Sequence, residues 1–215
     1  MASFQEHLSR LLTGDLPGET AHLRMHPLNR KASSIAKAEA TDFRESAVAV
    51  ILFEADGDIQ CILIQRPTYI GNHSGQVSFP GGKREVEDDS LEVTAMRECL
   101  EEIGVDLKNA TALGRLTPVF IPVSGFHVEP YLFLLPEPPV FIPDAREVEA
   151  VLTISLQELL REENIQAMDI TVSTEMVLKD VPYFRLSDKQ VWGATAFILS
   201  ELREILLQLS SEFKI

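Results

Sequence analysis

Apolar residues fall into short runs along this chain, and their spacing changes from helical to extended and back. Phe4, Leu8, Leu11 and Leu12 recur at helical spacing, so an amphipathic helix opens the chain and Gly14 and Pro17 end it. The residues up to about Glu45 are polar and alanine-rich without a strand pattern, and the pattern predicts a helical extension over 1–45. Ala47-Val-Ala-Val-Ile-Leu-Phe53 is a continuous β-branched run, followed by Asp56-Gly57 and a second run from Ile59 to Ile64. Asp-Gly between two such runs predicts a tight hairpin.

A loop rich in Gly, Asn, Ser and Pro extends from Pro67 to Gly82, interrupted by the apolar Val77-Ser78-Phe79. A helix is predicted from about Ser90, a good N-cap, to Ile103, with Gly104 as its stop. Leu113 to Ile121, His127 to Leu135 and Val148 to Ile154 read as strands, Ser155 to Leu160 as a short helix, and Val172 to Val177 with Pro182 to Leu186 as a late hairpin. From about Ala194 to Leu209 a helix with a broad apolar face closes the chain. No repeat or linker divides it. The expectation is one domain over 1–215, with a core at 46–160 and a hairpin and helix at 161–215. Strands, helix, strands and helix in that order argue for an α+β fold with a mixed sheet rather than regular βαβ winding.

Composition narrows the function. Of 215 residues 45% are apolar and 24% charged, enough for a real core. The net charge of −14 argues against nucleic acid or an anionic membrane as partner. Cys61 and Cys99 alone cannot build a disulfide framework or a four-cysteine zinc site, and read as reduced, buried thiols. The amino terminus lacks a secretory signal, no apolar run reaches the ~20 residues that span a bilayer, and a soluble, cytoplasmic protein is expected.

The candidate chemistry lies between Gly81 and Val105. Glu98, Glu101 and Glu102 stand at i, i+3 and i+4 of the predicted helix, so their carboxylates share one side. Such a cluster is either a solvated acidic face or a site whose repulsion a divalent cation reverses; oxygen ligands of this kind suit Mg²⁺ or Mn²⁺ rather than zinc. Ala95, Cys99 and Ile103 place the core on another side of the same helix. The double glycine before the helix lets backbone approach a ligand closely. Eight acids against three bases between Gly82 and Val105 concentrate −5 of the net charge there.

Arg97-Glu98-Cys99-Leu100-Glu101-Glu102-Ile103-Gly104-Val105 resembles the second half of a Nudix box, Gly-x5-Glu-x7-Arg-Glu-U-x-Glu-Glu-x-Gly-U with U apolar. The first half departs from that pattern. Its loop is one residue longer, and either Asp88 or Asp89 stands where the family has glutamate. Leu63 to Gly82, through Arg66, His73, Gly75-Gln76-Val77 and Phe79-Pro80-Gly81-Gly82, is similar to the signature preceding the box in the coenzyme A diphosphatase branch, as is Val191-Trp-Gly-Ala-Thr-Ala196 to an element near its end. Pro67 and Gly71 replace the usual Ser and Arg.

This resemblance implies a Nudix α/β/α sandwich and hydrolysis of the diphosphate linkage of coenzyme A or a derivative, giving 3′,5′-ADP and 4′-phosphopantetheine. Another nucleoside diphosphate derivative (ADP-ribose, NADH, a dinucleoside polyphosphate) and a non-catalytic nucleotide-sensing module are the alternatives. It assigns Glu98, Glu101 and Glu102 as metal ligands, with a carbonyl of Gly81 or Gly82 in addition and Arg97 orienting the carboxylates. The general base is a helix glutamate or Glu147, with Glu149 a weaker candidate and an ordinary surface acid the plain alternative. Arg66, His73, Gln76 and Gly81 are candidate substrate contacts, the first two equally readable as a surface arginine and a structural hydrogen-bonder. Trp192 reads as packing rather than a stacking platform. His7, His22, His26 and His127 show no ligand spacing. The oligomeric state stays open, a homodimer included.

Overall fold

In the computed structural model, which describes residues 2–28, 30–68, 75–173 and 176–212, the Asp-Gly hairpin organises the sheet. Strands β1 (Arg44–Ala55) and β2 (Asp58–Gln65) pair antiparallel with Ala55 opposite Asp58. Only Asp56 and Gly57 turn the chain, both at positive φ (53° and 78°), as a two-residue turn matched to strand twist requires.

Strand β1 is buried on both faces. Val50 and Leu52 enter one apolar cluster, while Ala47, Ala49, Ile51 and Phe53 enter another, which is why its sequence is continuous rather than alternating. Its other neighbour, β7 (Phe126–Leu134), runs parallel from Arg44 opposite Phe126 to Leu52 opposite Leu134, so the sheet is mixed. Strands β3 (Val77–Ser78) and β8 (Ala150–Ser155) pair with β2, β4 (Gly81–Lys83) with β1, and β5 (Thr111–Arg115) and β6 (Val119–Ile121) with β7.

Helix α4 (Leu91–Ile103) covers one face through Ala95, Cys99 and Ile103. The other is covered by α1 (Ala2–Leu12) and α6 (Gly193–Glu212), with Leu8, Leu12, Phe197, Leu202 and Ile205 in one cluster. This is the expected α/β/α sandwich. Helices α2 (Gly18–Leu23), α3 (Ser33–Glu39) and α5 (Leu156–Leu160) complete the set. Cys61 and Cys99 are buried free thiols, and burial pushes Cys61 up to about 12. No helix among the described residues is long and apolar enough to cross a membrane.

Two strand expectations are corrected. The single strand expected over Leu113–Ile121 is split into β5 and β6, because Pro118 has no N–H and the Thr117 N–H is drawn 2.9 Å to the buried Glu201 carboxylate instead of a ladder carbonyl. The late hairpin is longer than expected. It pairs β9 (Ile165–Ser173) with β10 (Met176–Leu186), and β11 (Lys189–Val191) follows on β10. Residues 172–177 are therefore not one strand. A register shift between Leu178 and Val181, with Asp180 at φ 49°, interrupts the alternation, so one long strand reads as two.

Candidate functional site

Helix α4 sets the site. Ser90 sits in extended backbone and its Oγ accepts from the Val93 N–H at 3.2 Å; Gly104 ends the helix at φ 73° with its N–H on the Leu100 carbonyl at 3.0 Å. With Ala95, Cys99 and Ile103 packed on the sheet, the rotation of the helix leaves no choice about where Glu98, Glu101 and Glu102 emerge.

Arg97 is the hub of a charged network. Its Nε and Nη2 donate to the two oxygens of Asp88 at 3.0 and 2.9 Å, its Nη1 to Glu98 and Glu101 at 2.9 Å each, and Nη2 also to the Lys83 carbonyl at 3.1 Å. The choice between Asp88 and Asp89 is thereby decided: Asp88 is buried while Asp89 is exposed. Asp88 also accepts from the Thr94 hydroxyl and the Glu85 N–H, both at 2.9 Å. The Arg97 guanidinium, against the cost of burial, holds the Asp88 carboxyl far below the usual range, and Asp88 in turn raises Arg97.

The acidic side of α4 is solvated only at Glu101. Glu102 is 1% exposed, and one oxygen accepts from the Gly81 N–H at 2.8 Å while the other lies 3.8 Å from Arg66 Nη1. Burial, opposed by Gly81 and Arg66 and reinforced by Glu98 and Glu147, pushes it up to about 8. Burial also raises Glu98, against the pull of Arg97. Glu101 is largely exposed and held by Arg97. The two glycines differ in use. A Cβ on Gly82 would lie 2.4 Å from the Glu98 carboxyl carbon, so that carboxylate rests in the space a side chain would fill. On Gly81, at φ 154°, it would lie 2.3 Å from the Ala47 carbonyl oxygen.

A cleft of about 1230 Å³ opens beside these groups. Glu98, Glu102, Glu147, Arg66, Gln76, Gly81 and Gly82 all line it, so residues scattered over 82 positions meet on one surface. The charge of Glu147 is felt by both Glu98 and Glu102. Arg66 Nε is buried without a hydrogen-bond partner among the described residues. Glu101 and Glu149 do not line the cleft, and His73 lies outside the described residues. Trp192, expected to be packing, lines the cleft with Gly193 and Ala194. Sequence reasoning missed Thr94, whose position one turn before Glu98 is the signal for it, and Pro27, Arg30, Leu178 and Lys189, for which no local pattern exists.

No three acidic, histidine or cysteine side chains among the described residues form a ready-made cation cage. The donors nonetheless suit a hard divalent cation: the Glu98 carboxylate cradled against Gly82 and the Glu102 carboxylate one turn on, held by the Gly81 N–H.

The NUDIX domain family matches residues 43–173. "Nudix hydrolase 15, mitochondrial" of Arabidopsis thaliana is 37% identical over 161 residues, covering 73% of this chain and 56% of the relative. The chain spans the same 56% of a second Arabidopsis relative, "Nudix hydrolase 22, chloroplastic". An uncharacterized Nudix hydrolase, NudL, of Yersinia pestis is 32% identical over 165 residues, covering 77% of this chain and 80% of its own length. Among solved structures, the Nudix hydrolase RenU of M. smegmatis superposes with a TM-score of 0.51 at 14% identity, over 77% of this chain and 88% of that one. That likeness concerns the fold.

Proposed function

The chain belongs to the NUDIX domain family, and on that premise we propose that it is a metal-dependent hydrolase splitting the diphosphate linkage of coenzyme A or a derivative into 3′,5′-ADP and 4′-phosphopantetheine. The observation that carries the reading is the one cleft shared by Glu98, Glu102, Glu147, Arg66, Gly75 to Phe79, and Gly81 with Gly82. Gly75 to Gly82 belong to the segment whose sequence is similar to the coenzyme A diphosphatase branch.

A diphosphate resists water because its oxygens are negative and shield phosphorus; Mg²⁺ or Mn²⁺ supplies neutralising charge and acidifies water. Glu98 and Glu102 would hold the ion, with a carbonyl of Gly81 or Gly82. Arg97 fixes the Glu98 carboxylate at 2.9 Å and is itself locked by Asp88, so the ligand is oriented before substrate arrives. Arg66, with a donor to spare, binds a diphosphate oxygen. Glu147 accepts the proton of the attacking water. The new P–O bond forms as the bridging P–O bond breaks, and the leaving phosphate departs with the electron pair.

Purified protein incubated with coenzyme A and Mg²⁺ in ¹⁸O-water tests this. The expected outcome is 3′,5′-ADP and 4′-phosphopantetheine, one of them carrying the label, and no products with EDTA. Brisk hydrolysis of ADP-ribose with none of coenzyme A moves the substrate assignment elsewhere in the family. Nucleotide binding without any turnover makes the chain a sensing module.

A further inference from the structure

The cleft is longer than the diphosphate site, and it carries away from that site a charge that no acid among the described residues balances. Arg30 lines it from the segment between α2 and α3, outside the residues that match the family. One guanidinium nitrogen, Nη2, donates to the Phe120 carbonyl at 3.2 Å, and the group lies 4.5 Å over the centre of the Phe197 ring. No carboxylate pairs with it among the described residues, although the chain carries 33 acids against 19 bases. Burial alone lowers its pKa. A guanidinium withdrawn from water with one carbonyl and a ring for company retains several unused donors. Lys189 of β11, Arg66 and Lys83 line the same cleft.

Arg30 is also too remote to share the group held at Glu98. Glu98 rests on Gly82 of β4, whereas Arg30 is tethered to Phe120 of β6. The sheet places β4, β1, β7 and β6 side by side in that order, with Gly82 opposite Ala47 and Phe120 opposite His127. Three strand spacings put the two anchor points on the order of 15 Å apart.

We propose that Arg30 is a specificity-determining residue that binds a second anion of the substrate, a phosphomonoester borne on the nucleoside and separate from the diphosphate that is cleaved. The proposal rests on the reading of the cleft as a nucleoside diphosphate site. It predicts that 3′-phosphorylated nucleotides are preferred to those lacking that phosphate.

The probes are 3′,5′-ADP and 5′-AMP, and their dissociation constants are measured by calorimetry with Mg²⁺ present, on the wild type and on Arg30→Met and Arg30→Lys. One charge-assisted contact is worth about tenfold or more in affinity. The ratio of the two constants is expected to be at least ~10 in the wild type, to collapse toward 1 in Arg30→Met, and to be kept in large part by Arg30→Lys. A general loosening of the cleft weakens both nucleotides and leaves their ratio intact, so a ratio unchanged by Arg30→Met overturns the proposal, as does a wild type that does not distinguish the two. If Arg30→Met does not fold, the same ratio in Arg30→Gln decides. Coenzyme A turnover is followed separately: its absence with the Arg30-dependent ratio intact defeats the substrate reading alone, and its presence with no such ratio defeats the role of Arg30 alone.

Discussion

Glu98 and Asp88 show how single acids of one charge run come to do different work. Glu98 faces the cleft, and Glu98→Gln keeps its shape while removing the charge of a proposed metal ligand. We expect turnover to fall by ~10²–10³ with the melting temperature within a few degrees of wild type; equal turnover would remove Glu98 from the proposed metal site. Asp88 faces away from the cleft into a closed set of donors, Arg97, Thr94 and Glu85. Asp88→Asn leaves Arg97 with weaker partners and is expected to cost about 2–3 kcal/mol in urea unfolding at pH 7. Because its folded pKa is depressed, Asp88 contributes this stability above the ordinary aspartate value near ~3.9 and loses it as pH falls toward the folded value. The gap between wild type and variant should therefore hold from pH 7 to about 5 and close below about 4. At this scale residue types and spacing were legible, and burial was not. Asp88 and Asp89 are the same residue type side by side, and only packing tells them apart.

Elements carry the geometry from residue to site. The Asp56-Gly57 turn, the Ser90 cap and the Gly104 stop were readable because each is a local backbone rule with a residue signature. The Gly81-Gly82 pair was readable as close approach, but not as two separate demands. Gly82→Ala displaces the end of the Glu98 side chain, which can swing, so a drop in turnover of ~10-fold or more is expected with little loss of stability. Gly81→Ala drives a Cβ into the backbone of β1 at a φ few side chains adopt. It should lower stability by about 2 kcal/mol or more, seen as a shifted urea midpoint. Similar effects of the two substitutions on both measurements would refute this division. The broken strand at Pro118 and the bulge at Asp180 escaped sequence reasoning because a distant carboxylate and a register shift caused them.

Across the whole molecule, the amino-terminal extension is integral rather than appended. Leu8, Leu12 and Met25 share a cluster with Phe197 and Leu202 of α6, and the buried Glu201 carboxylate accepts from the Gly18 N–H, His22 and Thr117. Hydrogen bonds from His22 and Thr117 outweigh the cost of burial and hold Glu201 below its ordinary pKa. Three buried side chains at ~2 kcal/mol each approach the whole stability of a domain. Removal of residues 1–32 should therefore give a protein that binds a hydrophobic dye and shows no cooperative melt; a cooperative transition in the truncated chain would show that the extension is dispensable. By itself the sequence determined an α+β class with a mixed sheet, the hairpin, the capped helix and the ordered trio Glu98, Glu101 and Glu102, because hydrophobic period, turn chemistry and helix spacing are local properties; the α/β/α layering followed only from the resemblance to the Nudix box. Tertiary structure alone decided that Glu102 is buried, that Asp88 rather than Asp89 locks Arg97, and that Glu147, Arg66, Trp192 and Arg30 border the same cleft. Those facts depend on strand order and on the docking of distant segments, and burial and proximity of that kind have no signature in any window of sequence.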